Sequence, residues 1–519
     1  MGGQVELKGP NLLEDGVATT EVAEGAMVGG HAAGEPVLVA RVGGKLHAIG
    51  AVCSHYGGPL AEGLLVGDHV RCPWHHAKLC VKTRHAHVPA LNPVSCWKVE
   101  ERAGRVYVTG KDEKTHLRVD PAKANVPSVP DSVVILGAGG AGNAAAEHLR
   151  ERGYAGTITM VGADESVPVD RPNLSKDYLA GTAPEEWIPL RGKEFYDDKK
   201  IALLLGVRAT SIDPKAKTVT LSNGTTLPFG ALLLATGADP TKLTIPGAER
   251  AHVHTLRTLA DSRALIERAM KAERAVVVGA SFIGLEVAAA LRARNVEVHV
   301  VAPDAVPLER ILGKDVGALV RAVHEEHGVV FHLGDVPASI TDTAVTLKSG
   351  ATIEADLVAV GVGVRPATSL AEEAGLAVDR GVVVDAYLQT SAAGIYAAGD
   401  VARYPDPYSG KSVRIEHWVV AERQGQTAAR NILGAREKYT DVAFFWSLHF
   451  DLGISYIGHA EKWDVAQIAG DLAKRDAIVA YREGGIIRAV ATIGRDHAGL
   501  EAEAAFERGD AAALETMMS

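Results

Sequence analysis

Two short loops near the start of the sequence carry side chains that could bind metal. One loop holds Cys53 and His55 as a Cys-x-His pair, and the other holds Cys72 and His75 as a Cys-x-x-His pair, with positions 56–71 between them. Thiolates and imidazoles are ligands of zinc and of iron–sulfur clusters. Zinc sites usually pair like ligands at short spacing, whereas each of these loops mixes one Cys with one His. The pattern therefore favours an iron–sulfur cluster, with a structural zinc site as the alternative.

The cysteines of the chain all lie in its first hundred positions. The two outside the loops are Cys80 and Cys96, and none occurs from position 97 to 519. Because the ligand set is complete without them, Cys80 and Cys96 are predicted to be small buried residues. Enzymes that reduce disulfides need a redox cysteine beside their cofactor. The cysteine-free remainder of the chain therefore argues against a disulfide reductase.

The residues around the two loops extend the pattern. They read CSHYGGPL from Cys53 and CPWHH from Cys72, and both stretches resemble the cluster loops of Rieske proteins. In that family two thiolates hold one iron of a 2Fe-2S cluster and two imidazoles hold the other. The resemblance implies that Cys53, His55, Cys72 and His75 are the metal ligands of a Rieske domain.

The pattern around these loops is that of a small all-β domain. Short apolar runs at 37–42, 45–49 and 105–108 alternate with turns rich in Gly, Pro and Asn. We assign residues 1–110 to this domain. Residues 111–130 are polar and contain several prolines, which predicts a linker.

A glycine-rich turn opens the next part of the chain. Four apolar residues are followed by the G-x-G-x-x-G spacing at Gly137, Gly139 and Gly142, which predicts a strand, a tight turn around a pyrophosphate and a helix. The pattern returns at Gly279 and Gly284, where Ser281 replaces the middle glycine. Two such turns suggest a fold for a flavin nucleotide with a second, nicotinamide-binding fold inserted into it.

The order of these turns divides the rest of the chain into domains. Residues 131–250 and 367–436 are predicted to form an FAD-binding domain in two parts, with an NAD(P)H-binding domain at 251–366 between them. Residues 437–519 are predicted to form a small α/β domain at the C-terminal end, because a pair of strand-like runs lies on either side of two glycines there.

Positions 170–176 read DRPNLSK. This segment resembles the DRPxLSK motif of flavoprotein reductases from ring-hydroxylating oxygenase systems and of apoptosis-inducing-factor-like proteins. The resemblance implies that Arg171 and Lys176 flank an FAD, and that Lys176 pairs with a carboxylate on the nicotinamide side, here Glu286. A cation near the flavin stabilises its anionic reduced form, so Lys176 and Glu286 are the predicted catalytic residues. The alternative is a surface ion pair of little consequence.

The same resemblance implies further contacts with the cofactors. The candidates are Asp164 for the adenosine ribose, Thr236 and Gly237 at a crossover, Gly399 and Asp400 for the ribityl chain, and Trp418 near the flavin. After the second strand of the nicotinamide fold the chain has Asp304 and no cluster of Arg or Lys that would bind a 2′-phosphate. NADH is therefore expected as the donor, with NADPH as the alternative.

Charge and hydropathy exclude other classes of protein. A net charge of −10 argues against a nucleic-acid-binding protein, which would present a basic face. No apolar run approaches the length that spans a bilayer, and the N-terminus lacks the apolar core of a signal peptide. A cytoplasmic protein is therefore expected.

Taken together, the motifs resemble Rieske-domain-bearing members of the apoptosis-inducing-factor-like flavoprotein reductases. The implied fold is multidomain, with a small all-β Rieske domain followed by an α/β flavoprotein reductase with two dinucleotide-binding domains. The implied function is electron transfer from NADH through FAD to a 2Fe-2S cluster, and on to a one-electron acceptor protein such as an oxygenase, ferredoxin or cytochrome. The alternatives are a redox sensor that binds NADH with little turnover and an NADH oxidase. A homodimer is compatible with the sequence.

Overall fold

The computed structural model describes residues 7–112 and 129–519. Its contacts divide the chain into two compact units. The first unit consists of residues 1–123 and 495–519, and the second unit consists of residues 124–494. Most of the predicted linker, residues 113–128, lies outside the described residues.

The N-terminal part of the first unit is built from antiparallel strands. They are β1 (Val17–Ala18), β2 (Met27–Ala32), β3 (Glu35–Val42), β4 (Lys45–Gly50), β5 (Leu64–Val66), β6 (His69–Arg71), β7 (Lys78–Cys80), β8 (Cys96–Arg102) and β9 (Arg105–Lys111). One sheet has the order β1-β9-β8-β4-β3-β2 and a smaller one has the order β5-β6-β7. This arrangement confirms the all-β prediction. The first metal loop follows β4 and the second connects β6 to β7.

The second unit opens with a parallel sheet that carries the first glycine turn. Its elements up to the first crossover are β10 (Ser132–Leu136), α1 (Gly140–Glu151), β11 (Thr157–Val161), α2 (Asp177–Ala180), α3 (Lys193–Asp198), β12 (Ile201–Leu204), β13 (Ala209–Asp213), β14 (Thr218–Leu221), β15 (Thr226–Pro228), β16 (Ala231–Leu234) and β17 (Ala238–Pro240). The strand β10 lies between β11 and β16, and all three are parallel. Its residues Val133–Leu136 are buried because helices and loops cover both faces.

A second parallel sheet follows. Its segment comprises β18 (Val253–Thr255), α4 (Leu259–Ala269), β19 (Arg274–Val278), α5 (Phe282–Ala293), β20 (Glu297–Ala302), α6 (Glu309–Glu326), β21 (Val329–Leu333), β22 (Pro337–Ile340), β23 (Ala344–Leu347), β24 (Thr352–Glu354), β25 (Leu357–Val360) and β26 (Val364–Pro366). The sheet order is β18-β25-β19-β20-β21. The second glycine turn joins β19 to α5, in the same position as the first turn between β10 and α1.

The chain then returns to the first sheet. The elements of this return are α7 (Ser369–Glu373), β27 (Val382–Val383), β28 (Ile395–Ala397), β29 (Ala402–Pro405), β30 (Ser412–Val413) and α8 (Trp418–Ile432). The strand β28 pairs in parallel with β16 and completes the sheet order β12-β11-β10-β16-β28. One dinucleotide fold is therefore inserted into the other, and the crossover strands β17 and β26 pair with each other.

The end of the chain differs from the single α/β domain that the sequence suggests. An antiparallel sheet forms from β31 (Phe444–His449), β32 (Leu452–Gly458), β33 (Val465–Asp471), β34 (Asp476–Glu483) and β35 (Ile486–Ile493), and it packs on the nicotinamide fold. Two helices follow, α9 (Asp496–Arg508) and α10 (Ala511–Thr516). These helices belong to the first unit. Local patterning identifies the hairpin β34–β35 but gives no information about which unit a terminal helix packs on.

Within 7–112 and 129–519, no helix has both the length and the apolar content that crossing a bilayer requires. The long helix α6 spans 18 residues and carries charged side chains along its length.

Candidate functional site

The two predicted metal loops meet in the first unit. His55 Nδ1 lies 3.1 Å from His75 Nδ1, and the thiols of Cys53 and Cys72 are hydrogen bonded to each other. Both cysteines are almost completely buried. The four side chains thus converge as one pair of thiols and one pair of imidazoles, which is the donor arrangement of a Rieske 2Fe-2S cluster.

Matching backbone turns present these ligands. The Gly57 N–H donates to Cys53 O at 3.0 Å, and the His76 N–H donates to Cys72 O at 3.1 Å. Gly57 and His76 both have positive φ, +80° and +55°. Gly58 is needed for space, because a Cβ at this position would lie 2.6 Å from Cys72 Sγ. The loops therefore leave room around the sulfur that a side chain would fill.

Burial and hydrogen bonding set the protonation of the ligands. Burial lowers the pKa of His55 to about 3. The hydrogen bond with Cys72, together with burial, raises the pKa of Cys53 above its ordinary value. The same hydrogen bond lowers the pKa of Cys72, and the backbone N–H groups of the second loop add to this effect. Neutral imidazoles and a readily ionised thiol are the forms that bind metal, so these residues fit the cluster.

The other two cysteines of the chain lie away from this ligand set. Cys80 is buried, as predicted, whereas Cys96 is only half-buried, with its Sγ 3.6 Å from Ala48 O.

The first glycine turn is closed so tightly that it excludes side chains. A Cβ at Gly137 would lie 2.0 Å from Ala235 O, and one at Gly142 would lie 1.9 Å from Gly137 O. Gly137 also has a φ of +119°. Helix α1 begins immediately after Gly139, so its free N–H groups face the turn. A helix N-terminus in this position binds phosphate.

One arginine lies beside this turn, and a second lies beside the crossover, where a Cβ at Gly237 would lie 2.9 Å from Arg257 Nη2. A Cβ at Gly139 would lie 3.6 Å from Arg171 Cζ. Arg171 lies 3.5 Å from Asp164, and Arg257 lies 2.9 Å from Asp400. Burial lowers the pKa of Arg171 to about 10. The Nε atoms of both arginines are buried and have no hydrogen-bond acceptor among the described residues. These unused donors fit the pyrophosphate of a dinucleotide.

Arg257 was not identified from the sequence. It lies just before α4 in the inserted fold, outside any of the glycine motifs. Only the return of the chain brings Asp400 to within 2.9 Å of it.

Trp418 begins α8 beside the same turn. A Cβ at Gly140 would lie 3.1 Å from Cζ3 of the Trp418 ring. Farther along α8, Glu422 is buried, and burial raises its pKa well above the usual range. Burial acts in this direction because removing a carboxylate from water disfavours its charged form. No sequence motif points to Glu422, because one acidic residue in a helix forms no pattern.

Lys176 and Glu286 form a buried ion pair. Lys176 Nζ lies 2.8 Å from Glu286 Oε2, and the side chains are 15% and 4% exposed. Ser175 Oγ donates to the same oxygen at 2.7 Å, and Ser447 Oγ donates to Glu286 Oε1 at 2.6 Å. This burial excludes the alternative of a surface ion pair. A charge buried this deeply is stable only when partners satisfy it, as they do here.

A hydrogen-bonded chain continues from this carboxylate. Ser447 Oγ lies 3.2 Å from His449 Nε2, and His449 Nδ1 lies 3.3 Å from His324 Nε2. Both histidines are fully buried, and burial lowers the pKa of each to about 3. The chain links β31 to α6. The antiparallel sheet therefore stabilises the Lys176–Glu286 pair through the hydrogen bond from Ser447 to Glu286.

The second glycine turn uses a serine where the first has a glycine. A Cβ at Gly279 would lie 2.4 Å from Gly361 O, and one at Gly284 would lie 2.2 Å from Gly279 O. Ser281 is the N-cap of α5: its Oγ accepts from the Gly284 N–H at 3.2 Å and donates to Gly361 O at 2.8 Å. The substitution therefore strengthens the start of the helix.

The crossovers and the end of β20 hold the remaining predicted residues. Thr236 Oγ1 donates to Ala367 O at 3.0 Å, and Gly237 has a φ of +70° beside β17. Gly399 lies next to Asp400, with its N–H donating to Gln424 Oε1 at 2.8 Å. Asp304 follows β20 and pairs with the exposed Arg310 at 3.0 Å.

Comparison with known families matches both units. The model of the pyridine nucleotide-disulphide oxidoreductases matches residues 131–425, and the model of the Rieske [2Fe-2S] domain matches residues 16–98. The first match covers more than half of the chain. The protein belongs to the pyridine nucleotide-disulphide oxidoreductase family and carries an additional Rieske domain.

Individual relatives agree with this assignment. Apoptosis-inducing factor 3 of Homo sapiens is 34% identical over 476 residues, which are 89% of this chain and 78% of that protein. The ferredoxin–NAD(+) reductase component of the anthranilate 1,2-dioxygenase system of Burkholderia cepacia is 40% identical over 70% of this chain and 92% of its own. The solved putidaredoxin reductase–putidaredoxin covalent complex superposes with a TM-score of 0.70 at 34% identity, covering 73% of this chain and 93% of that chain.

These matches define an FAD-dependent oxidoreductase. The Rieske domain implies a 2Fe-2S cluster, and the flavoprotein family implies FAD and NAD(P)H. The absence of cysteine from 97 to 519 separates this chain from members of the family that use a redox disulfide.

Proposed function

We propose that the protein carries electrons from NADH through FAD to its own Rieske cluster and on to a one-electron redox partner. The observation that carries this proposal is the presence, in one chain, of a complete Rieske ligand set and of a flavoprotein unit that has a buried Lys176–Glu286 pair but no cysteine. A flavoprotein without a redox disulfide passes electrons on from the flavin itself, and the cluster in the same chain would receive them.

The residues of the second unit would hold the dinucleotides. Gly137, Gly139 and Gly142 form the turn for the FAD pyrophosphate, while Arg171 and Arg257 supply its unused donors. When bound, FAD accepts the two electrons of a hydride together and gives them up one at a time.

Four further predicted groups would complete the flavin and nicotinamide sites. Asp164 is proposed for the adenosine ribose and Asp400 for the ribityl chain. Trp418 would cover the flavin, and the turn at Gly279 and Gly284 would take the pyrophosphate of the nicotinamide dinucleotide.

Lys176 would stabilise negative charge on the flavin as electrons arrive. Its ammonium group is held by Glu286, so its position is fixed before reduction and costs no rearrangement. Glu286, fixed by two serine hydroxyls, would also orient the nicotinamide side. Thr236 and Gly237 would shape the crossover beside this point.

Cys53 and Cys72 would bind one iron of the cluster, and His55 and His75 would bind the other. One NADH provides two electrons and one proton, so each NADH would reduce two molecules of a one-electron acceptor. The names of two relatives, an anthranilate dioxygenase reductase and putidaredoxin reductase, support an acceptor of the oxygenase, ferredoxin or cytochrome type.

Anaerobic titration with NADH tests the proposal. Absorbance should show bleaching of the flavin, and EPR should show a reduced Rieske cluster that forms at the expense of NADH. Addition of an oxidised ferredoxin or cytochrome c should then reoxidise both centres. A flavin that NADH reduces while the cluster stays oxidised in the same sample would contradict the proposed route.

The alternatives predict different results in the same experiment. A redox sensor would give a long-lived reduced complex and negligible turnover with any acceptor. An NADH oxidase would keep full activity in a His75→Ala variant that lacks the cluster. Repeating the titration with NADPH tests which dinucleotide is the donor. Light scattering of the purified protein tests whether it is a homodimer.

A further inference from the structure

The C-terminal helix α9 packs on the strands of the first unit, close to β5. Its inward face contains Leu500, Phe506 and one carboxylate, Glu503, whose exposed fraction is zero. A buried carboxylate on an otherwise apolar helix face is unusual, because removing its charge from water is costly unless partners replace the solvent. The partners of Glu503 therefore indicate its purpose.

The second metal loop and its flanks supply partners of Glu503. Glu503 Oε2 lies 2.8 Å from His76 Nδ1 and 3.3 Å from Arg71 Nη1. Glu507, one helical turn later, accepts from Lys78 Nζ at 2.9 Å and pairs with Arg71 Nη2. Arg71 is 4% exposed and His76 is fully buried. Two carboxylates of one helix thus pair with three basic side chains of the second metal loop and of the strands on either side of it.

The positions of the basic residues give this network its significance. Arg71 immediately precedes Cys72, and His76 immediately follows His75. The network therefore holds the loop on both sides of its two ligands. His76 also has a φ of +55° and donates its N–H to Cys72 O, so its backbone closes the turn that presents the sulfur. A side chain fixed at this point fixes the turn.

We propose that Glu503 is a positioning residue of the Rieske cluster: α9 clamps the second ligand loop through Arg71 and His76, and its carboxylate sets the local charge against which the cluster is reduced. This inference rests on the cluster that the Rieske match implies and is independent of the proposed route through the flavin. Residues that hold metal ligands from behind commonly change metal affinity when they are altered.

The test uses the full-length protein loaded with FAD and cluster. A Glu503→Gln variant keeps the shape of the side chain and removes its charge. Iron loss to a chelator should become about tenfold faster. The midpoint potential of the cluster should rise, because a negative charge no longer opposes the arriving electron. The FAD content, which reports on the second unit, should stay unchanged.

Glu501 provides a matched control on the same helix. Its side chain is 51% exposed and pairs with His497, at 3.4 Å. A Glu501→Gln variant removes the same charge and should show wild-type iron loss and wild-type potential. Equal potentials and equal rates of iron loss in E503Q, E501Q and the wild type would overturn the proposal.

A double variant separates positioning from a general loss of folding. Glu503→Gln leaves the Arg71 guanidinium buried with less compensation, whereas Arg71→Met combined with Glu503→Gln removes both charges. The double variant should retain iron longer than E503Q alone. If E503Q loses FAD as well as iron and the double variant does not recover either, Glu503 serves folding in general and the proposal fails. A failed NADH-to-cluster transfer in the wild type would leave this result unaffected.

Discussion

Glu286 brings three parts of the chain together through one carboxylate. It lies on α5 of the inserted fold, accepts from Lys176 and Ser175 of the first fold, and accepts from Ser447 of the antiparallel sheet. Hydrogen bonds to an ionised group are stronger than neutral ones, so each contact fixes the next. The Lys176 ammonium group is therefore placed by residues far apart in the sequence.

If Lys176 lies beside the flavin as proposed, replacing it by Met should slow the anaerobic reduction of FAD by NADH by about 10²-fold, because a fixed charge is lost. Stopped-flow absorbance measures this rate. Lys215, exposed in a hairpin of the second unit, supplies the control, since Lys215→Met removes the same charge from a remote surface. Equal reduction rates in the two variants would contradict the role assigned to Lys176.

We expect Asp304, which follows β20, to influence the choice between the two nicotinamide dinucleotides. A carboxylate after β20 would accept a hydrogen bond from a ribose hydroxyl and repel a 2′-phosphate. Asp304→Ala should lower the ratio of kcat/KM for NADH over NADPH by about tenfold, because a hydrogen bond to a charged group contributes roughly 1.5–3 kcal/mol. Arg310, which now pairs with Asp304, would become available to the phosphate. An unchanged ratio would show that the donor is selected elsewhere.

At the level of elements, the glycines of the two turns allow a helix to pack closely against the preceding turn. Gly142 packs α1 on β10 so closely that a Cβ would lie 1.9 Å from Gly137 O. Gly142→Ala should therefore move α1 and release FAD, lowering the flavin-to-protein absorbance ratio after gel filtration. Gly453 in β32 has no atom within 4 Å of its Cβ position, so Gly453→Ala should keep its FAD. Full FAD content in both variants would show that the turn tolerates a methyl group.

The histidine pair between α6 and β31 predicts a pH dependence. Burial lowers the pKa of His324 and His449 to about 3, from an ordinary value of 6.5. Between these values the unfolded chain binds protons that the folded chain excludes, so the pair's contribution to the free energy of unfolding falls as the pH decreases below about 6.5. Between about pH 7 and pH 5, the free energy of unfolding measured by urea denaturation should fall less in a His324→Gln/His449→Gln variant than in the wild type. An equal decrease in the free energy of unfolding in the two proteins would show that these histidines do not cause the pH dependence.

The sequence predicts those elements whose residues lie close together along the chain. The ligands Cys53 and His55 and the turn at Gly137 are local patterns, because a metal loop or a phosphate turn needs its residues close together. Arg257 and Ser447 were missed because their partners lie in other segments, so their roles exist only after folding. Ser281 replaces the middle glycine of the second motif and caps the helix that follows.

At the scale of the whole molecule, the chain enters the first unit twice. Its strands occupy the N-terminal part, and α9 with α10 joins them after the second unit is complete. The sequence predicted the insertion of one dinucleotide fold into the other, because both carry a motif. It did not predict where the last helices pack, because an amphipathic helix with Glu503 on one face has no motif that names its partner.

This return sets an order of assembly during synthesis. His76 and Glu503 are 427 positions apart, so a ribosome adding about 5–20 residues per second makes the second ligand loop roughly 20–85 seconds before its clamp. The second ligand loop is therefore synthesised before α9 can pack against it. A chain stopped at Gly494 should therefore form its flavoprotein and still lose iron to a chelator faster than the full chain. Stop codons within codons 495–519 should then reduce retention of the cluster iron.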